Sequence, residues 1–223
     1  MATKKKYQFT VVATDVVIFT VEDNTLKVLL IGMNKEPYKD HWALPGGLVK
    51  PNESVEESAQ RNLQEKTGVK NVYLEQLYTF GEVDRDPFGR VVSVAYYALI
   101  PTRGVKLKTS KDYTDIKWFD IKKLPALAYD HQQIVKTAVK RLQAKLEYTN
   151  IVYSLLPKEF SLSELQSIYE IILDKKLDKR NFRKKILSLN LLEKTDRVRK
   201  GTPNRPAQLY KFKKRKPQIV EII

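Results

Sequence analysis

Three positions on one face of a predicted helix could do metal chemistry in this 223-residue chain. Within Glu53–Thr67, positions 62, 65 and 66 stand at i, i+3 and i+4, so their side chains project together. A carboxylate at each would supply hard oxygen ligands for magnesium, which accepts one or two carboxylates alongside phosphate oxygens and water. The residues present are Asn62, Glu65 and Lys66. Only the middle position is a carboxylate, and the third is an ammonium. A fixed cation repels a divalent ion where screening is weak. It can instead pair with Glu65 or meet a ligand phosphate. No metal site is expected, with Glu65 the ligand if there is any; Glu56 and Glu57 lie a turn or more earlier as substitutes.

A second chemical segment is FGEVDRDPFGR, residues 80–90. Arg85 and Arg90 suit bidentate hydrogen bonds to a phosphate or carboxylate, and Asp84 or Asp86 can accept from sugar hydroxyls. With Lys66, the residues Asp84, Arg85 and Arg90 form the candidate ligand-binding set. An internally salt-bridged turn is the alternative reading of the segment. His131, following Asp130 at a helix start, reads as a capping or packing residue, and Trp42 and Trp118 as core.

The third chemical feature is charge. The chain carries 41 Lys+Arg against 26 Asp+Glu, a net of +15. Residues 151–223 hold 18 basic and 8 acidic residues, a net of +10 in the smaller part of the chain. Such a footprint suits nucleic acid, against a plain solvated lysine surface. Asp178 reads as the N-cap of a helix on which Phe182, Ile186 and Leu189 face inward. Lys179, Arg180, Asn181, Arg183 and Lys184 then face outward. Arg and Asn match guanine and adenine edges in the major groove, while Lys positions phosphates. Arg199, Lys200 and Arg205 flank a basic turn suited to the phosphate backbone or the minor groove. A basic module contacting an acidic protein is the competing reading.

Composition excludes several classes. There is no Cys, which removes disulfide frameworks, thiolate zinc sites and cysteine nucleophiles. Two His leave little for a histidine-rich metal site. Lys4–Lys6 precede an apolar stretch, but Gln8, Thr10 and Asp15 interrupt it and no small-residue cleavage site follows. No run approaches the roughly 18 apolar residues of a spanning helix. A soluble, cytoplasmic protein without a membrane partner is expected.

The elements that must position these residues follow from periodicity. Val11–Val12 with Asp15–Val21, and Leu26–Ile31, read as a hairpin around Glu22–Thr25. DHWALPGG (40–47) reads as a tight loop. Val55, Ala59 and Leu63 mark the buried stripe of the first helix, which Gly68 caps. Val72–Leu77, Val91–Ile100 and Ile116–Phe119 read as strands, and His131–Leu146 as a helix with Ile134, Ala138, Leu142 and Leu146 on one side. Composition shifts near Tyr148–Leu156. Beyond it come helices at Leu162–Leu173 and Asp178–Leu189, then strands at Glu193–Arg199 and Ala207–Phe212. Two domains are expected, 1–150 and 151–223, the second with the outline of a winged helix.

Gly47-x5-Glu53-x7-Arg61-x-Leu63-x-Glu65-x2-Gly68-Val69 resembles the Nudix box, G-x5-E-x7-R-E-U-x-E-E-x-G-U with U aliphatic, and Trp42–Gly47 is similar to the segment that leads into it. The resemblance implies an α/β/α Nudix sandwich with a mixed sheet over roughly 8–147. Nudix enzymes cleave diphosphate bonds with divalent cations that bridge the phosphates and activate water. Here Gly47, Glu53, Arg61, Glu65 and Gly68 are vestiges of that box. No efficient hydrolysis is expected and no cofactor is required, magnesium entering only for residual hydrolase activity. Gly47 and Gly68 also have plain turn and capping roles, and Arg61 can pair with Glu65 or Glu57.

A degenerate box joined to a basic winged helix resembles the Nudix-related transcriptional regulators (NrtR family). LSELQSIYEIIL (162–173), DKRNFRKK (178–185) and RPAQLYKF (205–212) are similar to that family's DNA-binding domain, and residues 80–100 to its Nudix part. The resemblance implies a homodimeric repressor on a double-stranded DNA operator. Its small-molecule effector is ADP-ribose or a related NAD metabolite in one branch and a pentose such as arabinose in another. The join near 148–156 would relay ligand binding to the DNA-binding helices. The enzyme alternative is a Nudix hydrolase of a nucleoside-diphosphate-linked substrate such as ADP-ribose, with a basic regulatory tail.

Overall fold

A computed structural model describes residues 7–101, 107–108, 112–199 and 206–220. Strands β1 (Tyr7–Glu22) and β2 (Thr25–Met33) meet at a two-residue turn, Asp23 and Asn24, both left-handed at φ 50 and 56. Asp and Asn tolerate that region, and the turn's twist matches that of the strands it joins. The segment read as a tight loop forms two short strands, β3 (Trp42–Ala43) and β4 (Gly46–Leu48). Helix α1 (Val55–Thr67), strands β5 (Glu75–Phe80), β6 (Gly89–Leu99) and β7 (Tyr113–Asp120), and helix α2 (His131–Tyr148) follow.

These seven strands make one mixed sheet. Its main path is β3-β2-β1-β6-β5, with β4 on β1 and β7 on β2. β1 runs parallel to β6, whereas β4, β5 and β7 pair antiparallel with their neighbours. Helix α1 begins with a capping box in which Ser54 and Glu57 satisfy each other's backbone amides, and it ends on left-handed Gly68 at φ 76. Its stripe Ala59 and Leu63 packs with Val16, Ile18, Leu29, Val69, Tyr96 and Ile100 from the sheet, and Val55 covers the margin. Trp42 and Trp118, expected in the core, are half-buried instead. Trp118 lies at the edge of that cluster, and Trp42 meets Phe119 edge-on at 4.5 Å.

The second part of the chain contains a 3-10 turn (Ile151–Ser154), strand β8 (Phe160–Ser161), helices α3 (Leu162–Leu173) and α4 (Lys179–Ser188), and strands β9 (Leu192–Arg199) and β10 (Ala207–Phe212). The order β8-β10-β9 is a small antiparallel sheet. Phe160 packs on Phe212 at 5.1 Å, and Tyr169 meets Phe182 at 5.3 Å across α3 and α4. Phe182 and Ile186 are buried as their spacing predicts, while Leu189 is half-buried and Leu191 and Leu192 go inside. Two helices followed by a hairpin is a winged-helix arrangement.

By internal contacts the chain divides into Met1–Thr20 with Lys27–Val139, and Val21–Leu26 with Lys140–Ile223. The division passes through helix α2. The stretch 148–156, read as the join, is an ordered part of the second unit. Asn150 donates to the Lys216 carbonyl at 3.2 Å and accepts from the Gln218 amide at 2.8 Å. Arg215 donates to the carbonyls of Tyr153, Leu156 and Pro157.

Candidate functional site

The first unit holds a cavity of about 340 Å³ whose polar lining comes from several elements. Asp15, on β1, is buried among apolar neighbours and needs partners to stay ionised. Ser93 Oγ donates to it at 2.6 Å from β6, Arg85 Nη2 at 3.4 Å, and His131 Nε2 stands 3.4 Å away. Burial alone would push the Asp15 carboxyl up; His131, Ser93 and Arg85 outweigh it and hold the group down to about 2. Arg85 also grips Asp130 in a fork at 2.6 and 2.9 Å. Phe88, Tyr113 and Tyr129 supply aromatic walls, and Lys66 enters from α1.

The candidate ligand residues therefore separate. Lys66 and Arg85 line the cavity together with Asp86. Asp84 is exposed and outside the lining, and Arg90 is turned away to the Glu82 carbonyl at 3.1 Å. Arg85 is part of a buried ion-pair network rather than a free anion grip. Sequence reasoning missed Asp15 and Asp130 and gave His131 only a capping or packing role. One signal was available: Asp15 heads the apolar run DVVIFTV, where a lone carboxylate needs an explanation.

The box residues form a second network beside the cavity. Arg61 donates to both Glu53 oxygens at 2.8 and 2.6 Å, to Glu65 at 3.2 Å and to the Leu48 carbonyl at 3.2 Å. Its hydrogen bonds hold the Glu53 carboxyl down to about 2. Glu57, read as a partner for Arg61, is instead spent on the helix cap. Asn62 is only 1% exposed; its amide donates to Thr14 at 3.1 Å and lies 3.4 Å from Ser58. Lys66 Nζ does not pair with Glu65 but donates to the Gly46 carbonyl.

A divalent cation, which a Nudix box implies, does not fit these residues. The carboxylates that remain are held by Arg61, position 62 is an amide and position 66 an ammonium. Among the described residues no group of three or more His, Asp or Glu side chains is placed to hold a metal ion.

The second candidate site is the exposed face of α4. Asp178 accepts from the Asn181 amide at 2.8 Å and starts the helix as its spacing predicts. Lys179, Arg180, Asn181 and Lys184 are all exposed. Arg183 departs from expectation: it is half-buried and donates to Ser163 on α3 at 3.2 Å, tying the two helices. On the hairpin, Arg199 pairs with Glu164 and Arg197 with Glu159. Lys200 and Arg205 lie outside the described residues. No helix among the described residues is long and apolar enough to cross a membrane.

Comparison with known proteins matches both parts of the chain to described families. Residues 11–141 match the NUDIX domain family, and residues 152–212 match the NrtR DNA-binding winged helix domain. The chain is 38% identical to an ADPR responsive transcriptional repressor of Acinetobacter baylyi, over 94% of this chain and 84% of that protein. It is similar to the crystal structure of Shewanella oneidensis NrtR complexed with a 27mer DNA, at TM-score 0.79 and 36% identity, covering 91% of this chain and 93% of that one. The Nudix domain of the same Shewanella protein, complexed with ADP ribose, aligns at TM-score 0.55 and 36% identity, covering 61% of this chain and 90% of that one.

Proposed function

The chain belongs to the NrtR family, in which a Nudix domain is joined to a winged-helix DNA-binding domain, and from that premise we propose that it is a transcriptional repressor whose Nudix domain senses ADP-ribose. The observation that carries this reading is the pairing of two sites in one chain. One is a polar and aromatic cavity beside a box without a metal-binding set; the other is a basic helix face with its apolar side buried. ADP-ribose is favoured over a neutral pentose because the Lys66 ammonium, which pairs with no carboxylate among the described residues, lines the cavity and is a partner for phosphate.

Two copies acting as a dimer would set α4 of each into successive major grooves of a near-palindromic operator, with half-sites about 34 Å apart per helical turn. Lys179, Arg180, Asn181 and Lys184 make the contacts, joined by the hairpin basics. Ligand releases DNA by binding the DNA-free conformation more tightly than the DNA-bound one. Repression of this kind takes place in the cytoplasm and needs no cofactor. The hydrolase reading is disfavoured by the composition of the α1 face, where Asn62 and Lys66 stand in two carboxylate places.

Fluorescence-anisotropy titration onto DNA from the protein's own upstream region, at several salt concentrations, tests this. Tight, sequence-dependent binding weakened by ADP-ribose, and not by arabinose or xylose, is expected. Weak binding indifferent to sequence would overturn the repressor reading, and release by a pentose alone would overturn the effector.

A further inference from the structure

Lys66 occupies the place where a box of this kind would put a carboxylate, yet it behaves as a bound cation. Its Nζ donates to the Gly46 carbonyl and lies 5.2 Å from the centre of the Tyr113 ring. A carbonyl oxygen and an aromatic face are both partners that a cation attracts. The carbonyl is placed by the pairing of β4 with β1, in which Gly46 stands opposite Asp15 with no room for a Cβ. Among the described residues Lys66 makes no ion pair, since Arg61 holds Glu53 and Glu65. An ammonium has three donors. The Gly46 carbonyl takes one, on a side chain that lines the cavity.

We infer that Lys66 is the resident cation of this cavity: it anchors the phosphate of an anionic ligand in place of a divalent metal ion, and so makes binding metal-independent and selective for phosphate-bearing ligands. The inference rests on reading the cavity as the effector site. It also explains how a diphosphate can be sensed without being consumed. A divalent ion polarises the phosphoryl group and lowers the pKa of its bound water, which generates the nucleophile. An ammonium offers charge and hydrogen bonds but coordinates no water for attack. The ligand is held and not cleaved.

Calorimetric titration of the full chain with ADP-ribose and, separately, with inorganic pyrophosphate tests this, each in excess EDTA and in excess magnesium. The wild-type chain is expected to bind both anions as tightly in EDTA as in magnesium. Lys66→Met should weaken both about ten- to a hundredfold, the range for losing a hydrogen bond to a charged group. Lys66→Arg should retain most of the affinity, and thermal melts check that each variant is folded. Loss of wild-type binding in EDTA, or unchanged affinity in folded Lys66→Met, overturns the inference. If ADP-ribose releases DNA only with magnesium, the inference falls while the effector reading stands. If pyrophosphate binds through Lys66 in EDTA but ADP-ribose leaves DNA binding untouched, the effector reading falls and the inference stands. Failure of both anions to bind overturns both.

Discussion

His131 faces Asp15 across 3.4 Å with Nε2, while its Nδ1 accepts the backbone amide of Leu44 at 2.9 Å. A backbone amide can only donate, so Nδ1 carries the lone pair and the ring proton sits on Nε2, directed at Asp15. The tautomer is thus assigned by the chain segment between β3 and β4. Through Ser93, Arg85 and Asp130, the same carboxylate links β1, β6, the 80–90 loop and the start of α2 around one cavity.

Asp15 should contribute to stability in a pH-dependent way. Its carboxyl is held below the ordinary range, at about 2. The contribution is therefore full above the unfolded value, near 3.9, and is lost as pH falls through about 2. Asp15→Asn should cost about 3 kcal/mol at neutral pH, because it leaves part of a buried ionic network uncompensated. Urea midpoints for both proteins from pH 7 down to pH 2 should show a constant gap that narrows only below about pH 4. A gap that closes between pH 7 and pH 5 would contradict the assignment.

Restoring the carboxylate at position 62 should destabilise the fold rather than revive a metal site. Asn62 donates to Thr14 and accepts from Arg61, in a place where a carboxylate would lose water. Asn62→Glu is expected to cost about 1–3 kcal/mol. Magnesium should not recover it while Lys66 remains. In Asn62→Glu combined with Lys66→Glu, three carboxylates share the helix face, and magnesium should raise the melting temperature. Thermal melts with and without magnesium distinguish the two variants.

On α4, residues aimed at bases and residues aimed at phosphates should respond differently. Arg180→Ala or Asn181→Ala should cost about 1–3 kcal/mol of operator affinity and relax the preference at one position. Lys184→Ala should weaken all sequences alike and reduce the slope of log affinity against log salt by about 1. Arg183→Ala should lower stability as well, since this side chain ties α4 to Ser163. Anisotropy against a panel of single-base operator variants, alongside melts, resolves the three behaviours.

Arg215 is a structural residue within the basic run Lys211–Lys216. Its guanidinium donates to the carbonyls of Tyr153, Leu156 and Pro157 at 2.6, 2.8 and 3.1 Å, and burial lowers its pKa. Arg215→Ala should cost about 2 kcal/mol by stranding these acceptors at the end of the 3-10 turn. Hydrogen exchange should accelerate over residues 151–157, with no change in the salt slope of DNA binding.

The elements with strong local signals are legible in the sequence. Gly68 caps α1, Asp178 starts α4, and Ala207–Phe212 reads as β10, because caps and periodicity depend on neighbours in the chain. The exposed basic face of α4 and the two missing carboxylates of the box are equally local facts. The short strands β3, β4 and β8 were not legible, since two or three residues carry no period and are defined only by their partners.

What the tertiary structure alone decided is which charges find each other. Spacing along α1 left Glu53, Glu65, Asn62 and Lys66 with several possible partners. Folding gave Arg61 both glutamates, buried Asn62 against Thr14 and delivered Lys66 to the Gly46 carbonyl. The parallel pairing of β1 with β6 then set Asp15 beside Ser93, and the start of α2 brought His131 and Asp130 to the same cavity. Residue type and spacing thus determined the helices, the basic face and the loss of a metal-ligand set. The cavity's polar network joins residues up to 116 positions apart in sequence, and only the pairing of distant strands could determine it.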